Sequence, residues 1–68
     1  MTKEEYDTFI KNHLQSIAVL AVEAQQMDFL SEKFGEQVSL IQHDVTRVID
    51  LHTMWLVDIE LSMKEKAN

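Results

Sequence analysis

Apolar side chains recur along this chain at alternating intervals of three and four residues, in two runs on either side of Gly35. This spacing places side chains along one side of an α-helix. In the first half the stripe comprises Tyr6, Ile10, His13, Ile17, Leu20, Ala24, Met27, Ser31 and Phe34. In the second half it comprises Val38, Ile41, Val45, Val48, His52, Trp55, Ile59 and Ser62. Each half therefore predicts one long amphipathic helix.

The helix boundaries follow from a few residues that start or interrupt helices. The chain contains no Pro and a single Gly, Gly35, and Gly readily adopts the left-handed conformation that ends a helix. Thr2 and Glu5 have the spacing of a capping box, so the first helix is predicted to begin near Lys3. We therefore predict an all-α fold, an antiparallel helical hairpin whose two long helices reverse at Gly35. The predicted domain covers residues 1–68, with a first helix over about 3–33, a turn over about 34–36 and a second helix over about 37–65.

A reversal at Gly35 also predicts which residues lie opposite each other. Position i would pair with roughly position 69 or 70 minus i, so Ile10 would lie near Ile59 and His13 near Leu56. Apolar residues then meet along almost the whole seam, which favours the hairpin. One continuous helix in a longer coiled coil and a three-helix arrangement satisfy the same spacing and are the alternatives.

The second helix carries another stripe beside the first, and this surplus indicates an interface. One partner helix cannot cover so wide an apolar arc, and large exposed apolar patches are typical of surfaces that associate. We predict that the hairpins assemble, most simply as a homodimer, into a four-helix bundle or a larger helical oligomer. A groove for a foreign protein is the alternative. The stripe comprises Leu40, Asp44, Arg47, Leu51, Met54, Asp58 and Leu61.

Individual side chains give the predicted interface more detail. Arg47 is three residues from both Asp44 and Asp50, so we expect an ion pair within the helix, with an anion contact as the alternative. Trp55 is expected to be a core anchor or an interface hot spot. Phe9 falls off the first stripe and is predicted to contact another chain.

Size and charge limit the function further. A lone core of fewer than about 70 to 80 residues rarely supplies more than about 3 to 5 kcal/mol, and this 68-residue chain has no Cys for a disulfide. Twelve acidic against six basic residues give a formal net charge of -6, which disfavours direct nucleic-acid binding and favours a basic protein partner. The apolar runs are shorter than the roughly 20 residues of a membrane span, and the start does not resemble a signal peptide. Cytoplasmic location without membrane association is therefore expected.

The residue types offer little for catalysis or metal binding. The chain lacks a Cys nucleophile and a Gly-rich phosphate loop, and its three His have no partner at the spacing of a helical zinc site. We therefore predict no enzyme activity, no catalytic or metal site and no cofactor. His13 and His52 fall on the stripes and are expected to be satisfied core residues.

Three classes of function remain open. The sequence favours a non-enzymatic acidic helical oligomer that binds a protein, as a small inhibitor, immunity factor, adaptor or chaperone does. A second class is a protein that binds or sequesters a small ligand, such as an anionic nucleotide, in a pocket between chains. A third is an acidic mimic of nucleic acid that inhibits a DNA- or RNA-binding enzyme, of the kind that phages and mobile elements encode.

Overall fold

The chain forms an antiparallel helical hairpin. The computed structural model describes the backbone of residues 1–67 and the side chains of residues 1–64. Helix α1 spans Lys3–Gln25 and helix α2 spans Glu32–Ala67. The two helices pack along one seam in a rod of 57 × 17 × 13 Å. The predicted all-α hairpin is therefore confirmed, its assembly into an oligomer stays a prediction, and the last residue of the predicted domain lies outside the described residues.

Helix α1 begins where the capping box predicts. The Thr2 hydroxyl accepts the backbone N–H of Glu5 at 3.2 Å, and the Glu5 carboxylate accepts the backbone N–H of Thr2 at 3.2 Å. Two N–H groups that the helix itself cannot satisfy thereby gain partners. These two residues fix the start of α1 at Lys3.

The reversal lies in residues 26–31, so the predicted turn at 34–36 is wrong. The Asp28 carboxylate accepts the backbone N–H of Leu30 at 3.0 Å, and the Ser31 hydroxyl donates to the Asp28 carbonyl at 2.7 Å. The same hydroxyl accepts the backbone N–H of Phe34 at 3.2 Å, which caps the first turn of α2. Short polar side chains that bind neighbouring backbone groups thus make this turn.

Gly35 lies inside α2 and does not end a helix. Its φ is not positive, and a Cβ built on it would meet no atom within 4 Å. Neither a left-handed backbone nor a close approach therefore requires glycine at this position. The sequence prediction took this glycine as the end of the first helix and placed Ser31 within that helix, although a helix interior tolerates one Gly at a cost of about 1 kcal/mol relative to Ala.

The earlier reversal changes which residues face each other. His13 contacts Asp44 and Tyr6 contacts Asp58, so the predicted pairing of His13 with Leu56 is wrong. Helix α1 has 23 residues and α2 has 36. Because Asp58 already lies beside the first turns of α1, the C-terminal end of α2 extends beyond its partner helix.

The seam follows the predicted stripe on α1 but is rotated on α2. The six stripe residues that fall within α1, from Tyr6 to Ala24, are all buried or half-buried. On α2, the predicted stripe residues Val38, Val45 and His52 are exposed. The residues that occupy the seam of α2 are Phe34, Gln37, Ile41, Asp44, Val48, Leu51, Trp55 and Ile59. Three predicted positions on α2 are therefore wrong by one residue each, and a fourth, Ser62, is also exposed.

Candidate functional site

Asp44 forms the centre of a polar cluster inside the seam. Its Oδ1 lies 2.9 Å from Nδ1 of His13, and its Oδ2 accepts a hydrogen bond of 2.8 Å from the Ser16 hydroxyl. The hydrogen bonds from His13 and then Ser16 hold the pKa of Asp44 below its ordinary value. Both carboxylate oxygens are thus used to join α2 to α1.

The cluster contains Ser, His and Asp but lacks the geometry of a catalytic triad. A triad needs the serine hydroxyl to bond the imidazole, so that the imidazole can take its proton. Here the Ser16 hydroxyl donates to Asp44, and His13 contacts the other oxygen of the same carboxylate. The arrangement therefore aligns the two helices and does not activate Ser16 as a nucleophile.

Two further polar links lie on either side of this cluster along the seam. The Tyr6 hydroxyl donates to Oδ2 of Asp58 at 2.6 Å, and this hydrogen bond is the main cause of a raised pKa of Tyr6, with burial and the carboxylate charge adding to it. Nε2 of Gln37 donates to the Leu20 carbonyl at 3.1 Å and to Oε2 of Glu23 at 2.9 Å. Because the links lie near both ends and the middle of α1, they specify one register.

The apolar core that accompanies these links is small. Among the described residues, the buried hydrophobic side chains are those of Tyr6, Ala24 and Leu51. Gln37, a polar residue, is 8% exposed and therefore as well buried as Ala24. A seam of this composition gives one helix alignment but buries little apolar area.

The residues predicted to form an interface divide between the seam and the surface. Leu51 is buried, Asp44 and Trp55 are half-buried, and Asp58 is exposed but bonded to Tyr6. The remaining five are exposed and available to a partner. These are Phe9, Leu40, Arg47, Met54 and Leu61.

The predicted ion pairs of Arg47 do not form. Among the side chains of residues 1–64, the one Lys or Arg that lies within 4.0 Å of a carboxylate is Lys11, beside Asp7. Asp44 instead binds across the seam, and Asp50 is exposed. The guanidinium of Arg47 thus lies on the surface among the exposed interface candidates.

One flank of the hairpin carries a run of apolar side chains, which we call the apolar face, and Lys3 and Asp7 lie beside it at one end. A shallow groove of about 250 Å³ brings Ile10 of α1 beside His52 and Trp55 of α2, and the His52 and Trp55 rings stack at 6.2 Å. Residues one helical turn from Ile10 and His52 continue along the same flank, because positions three and four apart are neighbours on a helix. The apolar face comprises the exposed residues Leu14, Ala18, Val38, Val45, Ile49 and Leu56.

The opposite flank combines apolar and charged groups, and we call it the mixed face. Asp44 and Asp58 both reach α1 from this side, and residues one turn away from either of them on α2 lie beside them. Phe9 is two turns before Ser16 on α1 and shares its side. The mixed face comprises Phe9, Leu40, Arg47, Met54 and Leu61, bordered by the carboxylates of Glu5, Glu23, Glu36 and Asp58.

Gln37, Ser16 and the apolar face are the functional features that the sequence analysis missed. Positions 37, 41, 44, 48, 51 and 55 also alternate by three and four, so the spacing was present. The neighbouring set with Val38, Val45 and His52 contains more apolar residues and was preferred. Hydrogen bonds to α1 favour the polar set, and the apolar residues are left on the outside.

Comparison of the chain with models of protein families, with curated proteins and with solved structures found no match. Neither α1 nor α2, over the described residues, contains an apolar stretch long enough to cross a membrane. The description of the site therefore rests on the geometry of this chain alone.

Proposed function

We propose that this protein is a non-enzymatic, acidic helical module of the cytoplasm that acts as a homo-oligomer and binds another protein, as a small inhibitor, immunity protein or adaptor does. The observation that carries the proposal is the mixed face, which is still exposed when the hairpin has formed. Phe9, Leu40, Met54 and Leu61 are each about half exposed, at 49%, 52%, 51% and 53%. Apolar groups of this size among charges are typical of protein interfaces.

The charge of the mixed face favours a basic partner. Four carboxylates border it, whereas its cations are Arg47 and, seven residues before Leu40 on the same side of α2, Lys33. Complementary charge accelerates encounter and selects the partner, while apolar anchors supply most of the affinity. A helix with apolar side chains on one side and Lys or Arg beside them would satisfy both requirements.

Two of the bordering carboxylates are held in place before any partner arrives. Asp58 accepts the Tyr6 hydroxyl, and Glu23 accepts the side-chain amide of Gln37. Groups that are already ordered lose less conformational entropy on binding. The links across the seam therefore also support the proposed binding surface.

The proposal is tested by affinity capture from the organism that encodes the chain, followed by calorimetry with each captured protein. We expect Met54→Asp to weaken binding at least about tenfold, because it places a charge among the apolar anchors. Thr46→Asp is the matched control, since it adds the same charge to the exposed outer side of α2.

Arg47→Ala examines the cation in the middle of the mixed face. Removing it makes the face more acidic, so binding of a basic partner should be kept or improved, and the affinity should fall as salt is added. A captured protein that binds wild type, Met54→Asp and Thr46→Asp equally would contradict the proposal.

A further inference from the structure

We infer that the apolar face binds a second copy of this chain, so that two hairpins form a four-helix bundle. The inference deepens the oligomeric part of the proposed function and rests on it, but it concerns a different surface from the mixed face. It also assigns the dimer contact to residues outside the stripe that the sequence predicted as the interface. Four observations carry it.

The first observation is the spacing of residues along this flank of α2. Val38, Val45, Ile49, His52, Leu56, Ile59 and Met63 follow intervals of seven, four, three, four, three and four. Gln42 fills the interval of seven at the same alternation. Such a stripe packs against a further helix along its whole length, with side chains inserted between those of the partner.

The second observation is that both helices contribute to one surface. Ile10 and His52 line the same groove, and Leu14 and Ala18 continue that side of α1. Because Ala18 is small, another helix can approach α1 closely there. Two antiparallel helices side by side form this surface. A second hairpin can cover it, and each helix then contacts two neighbours.

The third observation is the accessible area of the hairpin. The chain exposes 5570 Å² and has a mass of 7.9 kDa. A folded monomer of that mass exposes about 4,400 Å², so the hairpin carries an excess of roughly 1,200 Å². A standard stable interface buries about 800 Å² on each partner. Covering the apolar face with a second hairpin therefore removes an excess of the right size.

The fourth observation is the distribution of charge. Each copy has a formal net charge of -6, so two copies repel each other, and the repulsion is smallest where the surfaces in contact carry no charge. The side chains that make up the apolar face are uncharged; Lys3 and Asp7 lie at its end, in the groove with Ile10, and Asp7 pairs with Lys11 at 3.0 Å. Contact through the mixed face would instead bring the bordering carboxylates of both copies together. A like-charged copy thus fits the apolar face, and a basic partner fits the mixed face.

The first test is the mass in solution, measured by sedimentation equilibrium on wild type, Ile49→Asp and Met54→Asp. We expect wild type and Met54→Asp to have twice the chain mass of 7.9 kDa, because Met54 lies outside the apolar face. Ile49→Asp should lose the dimer, with a dissociation constant raised at least about a hundredfold. A wild-type hairpin that is folded with the mass of one chain would overturn the inference.

A second test does not depend on a disruptive variant. The chain has no Cys, so Val45→Cys and Thr46→Cys each introduce a single thiol, at adjacent positions on and off the apolar face. In an isolated hairpin both positions are exposed and should be alkylated at similar rates. In the dimer we expect the thiol at position 45 to react at least about tenfold more slowly, with protection that grows as the protein concentration rises. Equal rates in a fully helical sample would contradict the inference.

The two proposals can fail separately. Loss of the dimer in Ile49→Asp together with unchanged partner binding by Met54→Asp would support the dimer and contradict the mixed face. A partner that protects the thiol at position 45 from alkylation, while wild type alone has the mass of one chain, would overturn the second copy in favour of a foreign occupant.

Discussion

The seam between the helices and the apolar face on their flank differ in a way that is unusual for a folded monomer. The seam contains the polar residues His13, Ser16, Gln37 and Asp44, and most of its hydrophobic residues are only half-buried. The side chains that make up the apolar face are uncharged and open to solvent. Hydrogen bonds between polar side chains fix which positions of the two helices meet, and burial of apolar area supplies most of the free energy of folding. The seam therefore specifies the hairpin, and burial of the apolar face would supply the stability that the seam lacks.

The largest expected effect comes from comparing one residue of each region. Leu51, in the seam, is 7% exposed, and Ile49, on the apolar face, is 59% exposed in the hairpin. If a second copy covers the face, Leu51→Ala and Ile49→Ala should each lower the free energy of unfolding by about 2 to 4 kcal/mol. Urea unfolding at a fixed protein concentration measures both. A change within about 0.5 kcal/mol for Ile49→Ala, the usual value at a surface, would break the comparison.

Substitution of Asp44 tests how much the polar links of the seam contribute to stability. Its pKa is lowered from 3.8 by the hydrogen bonds to His13 and Ser16, so its contribution to stability is fully present above that value. The contribution is lost as the pH falls through the lower pKa of the folded state. We expect Asp44→Asn to be less stable than wild type at neutral pH and to lose less stability on acidification.

Asp50→Asn is the control for this titration. Asp50 is an exposed carboxylate of the same helix, and it forms no hydrogen bond or ion pair with another side chain of residues 1–64. Thermal unfolding followed by circular dichroism between about pH 2 and pH 7 compares the variants. If Asp44→Asn and wild type were to lose stability in parallel, the carboxylate would not link the helices as described.

Tyr6 supplies a smaller effect of opposite direction. Its pKa is raised above 10.0, chiefly by the hydrogen bond to Asp58, so the folded state favours the neutral phenol. Its contribution to stability is therefore present below that value and is lost as the pH rises through the raised pKa. Tyr6→Phe should be less stable than wild type at neutral pH and should lack this alkaline loss. Absorbance titration of the phenol measures its pKa directly, and an ordinary value would contradict the link.

The smallest effect is expected at Gly35 and sharpens the position of the turn. Because its backbone is helical and its Cβ position is open, Gly35→Ala should stabilise the protein by about 0.5 to 1 kcal/mol. If Gly35 had a left-handed backbone at a turn, the same substitution would instead destabilise the protein. Chemical denaturation distinguishes a gain from a loss.

The sequence was sufficient for the number of helices, the start of α1 and the stripe on α1. Thr2 and Glu5 act through neighbours in the sequence, and one clear apolar stripe has one way to face a partner. The predicted turn was wrong because Asp28 and Ser31 make the turn through hydrogen bonds to backbone groups, which the spacing of apolar residues does not indicate. The single Gly35 was taken as the end of the helix instead.

The seam of α2 could not be chosen from apolar periodicity. Two adjacent sets of positions share the same spacing, and the set with Val45 is more apolar than the set with Asp44. The choice depends on long-range bonds between helices, such as that of Asp44 with Ser16, which are fixed only when the register is known. The apolar face was not recognised as one surface for the same reason, since Val38 and Val45 were assigned to the seam.

The most direct test of the account is the dependence of thermal unfolding on protein concentration. If the polar seam specifies the hairpin and a second copy supplies its missing burial, the midpoint of unfolding should rise steadily with concentration, because dissociation accompanies unfolding. Circular dichroism over about a hundredfold range of concentration is sufficient to detect this rise. A cooperative transition with the same midpoint throughout that range, from a species of one chain, would contradict the account.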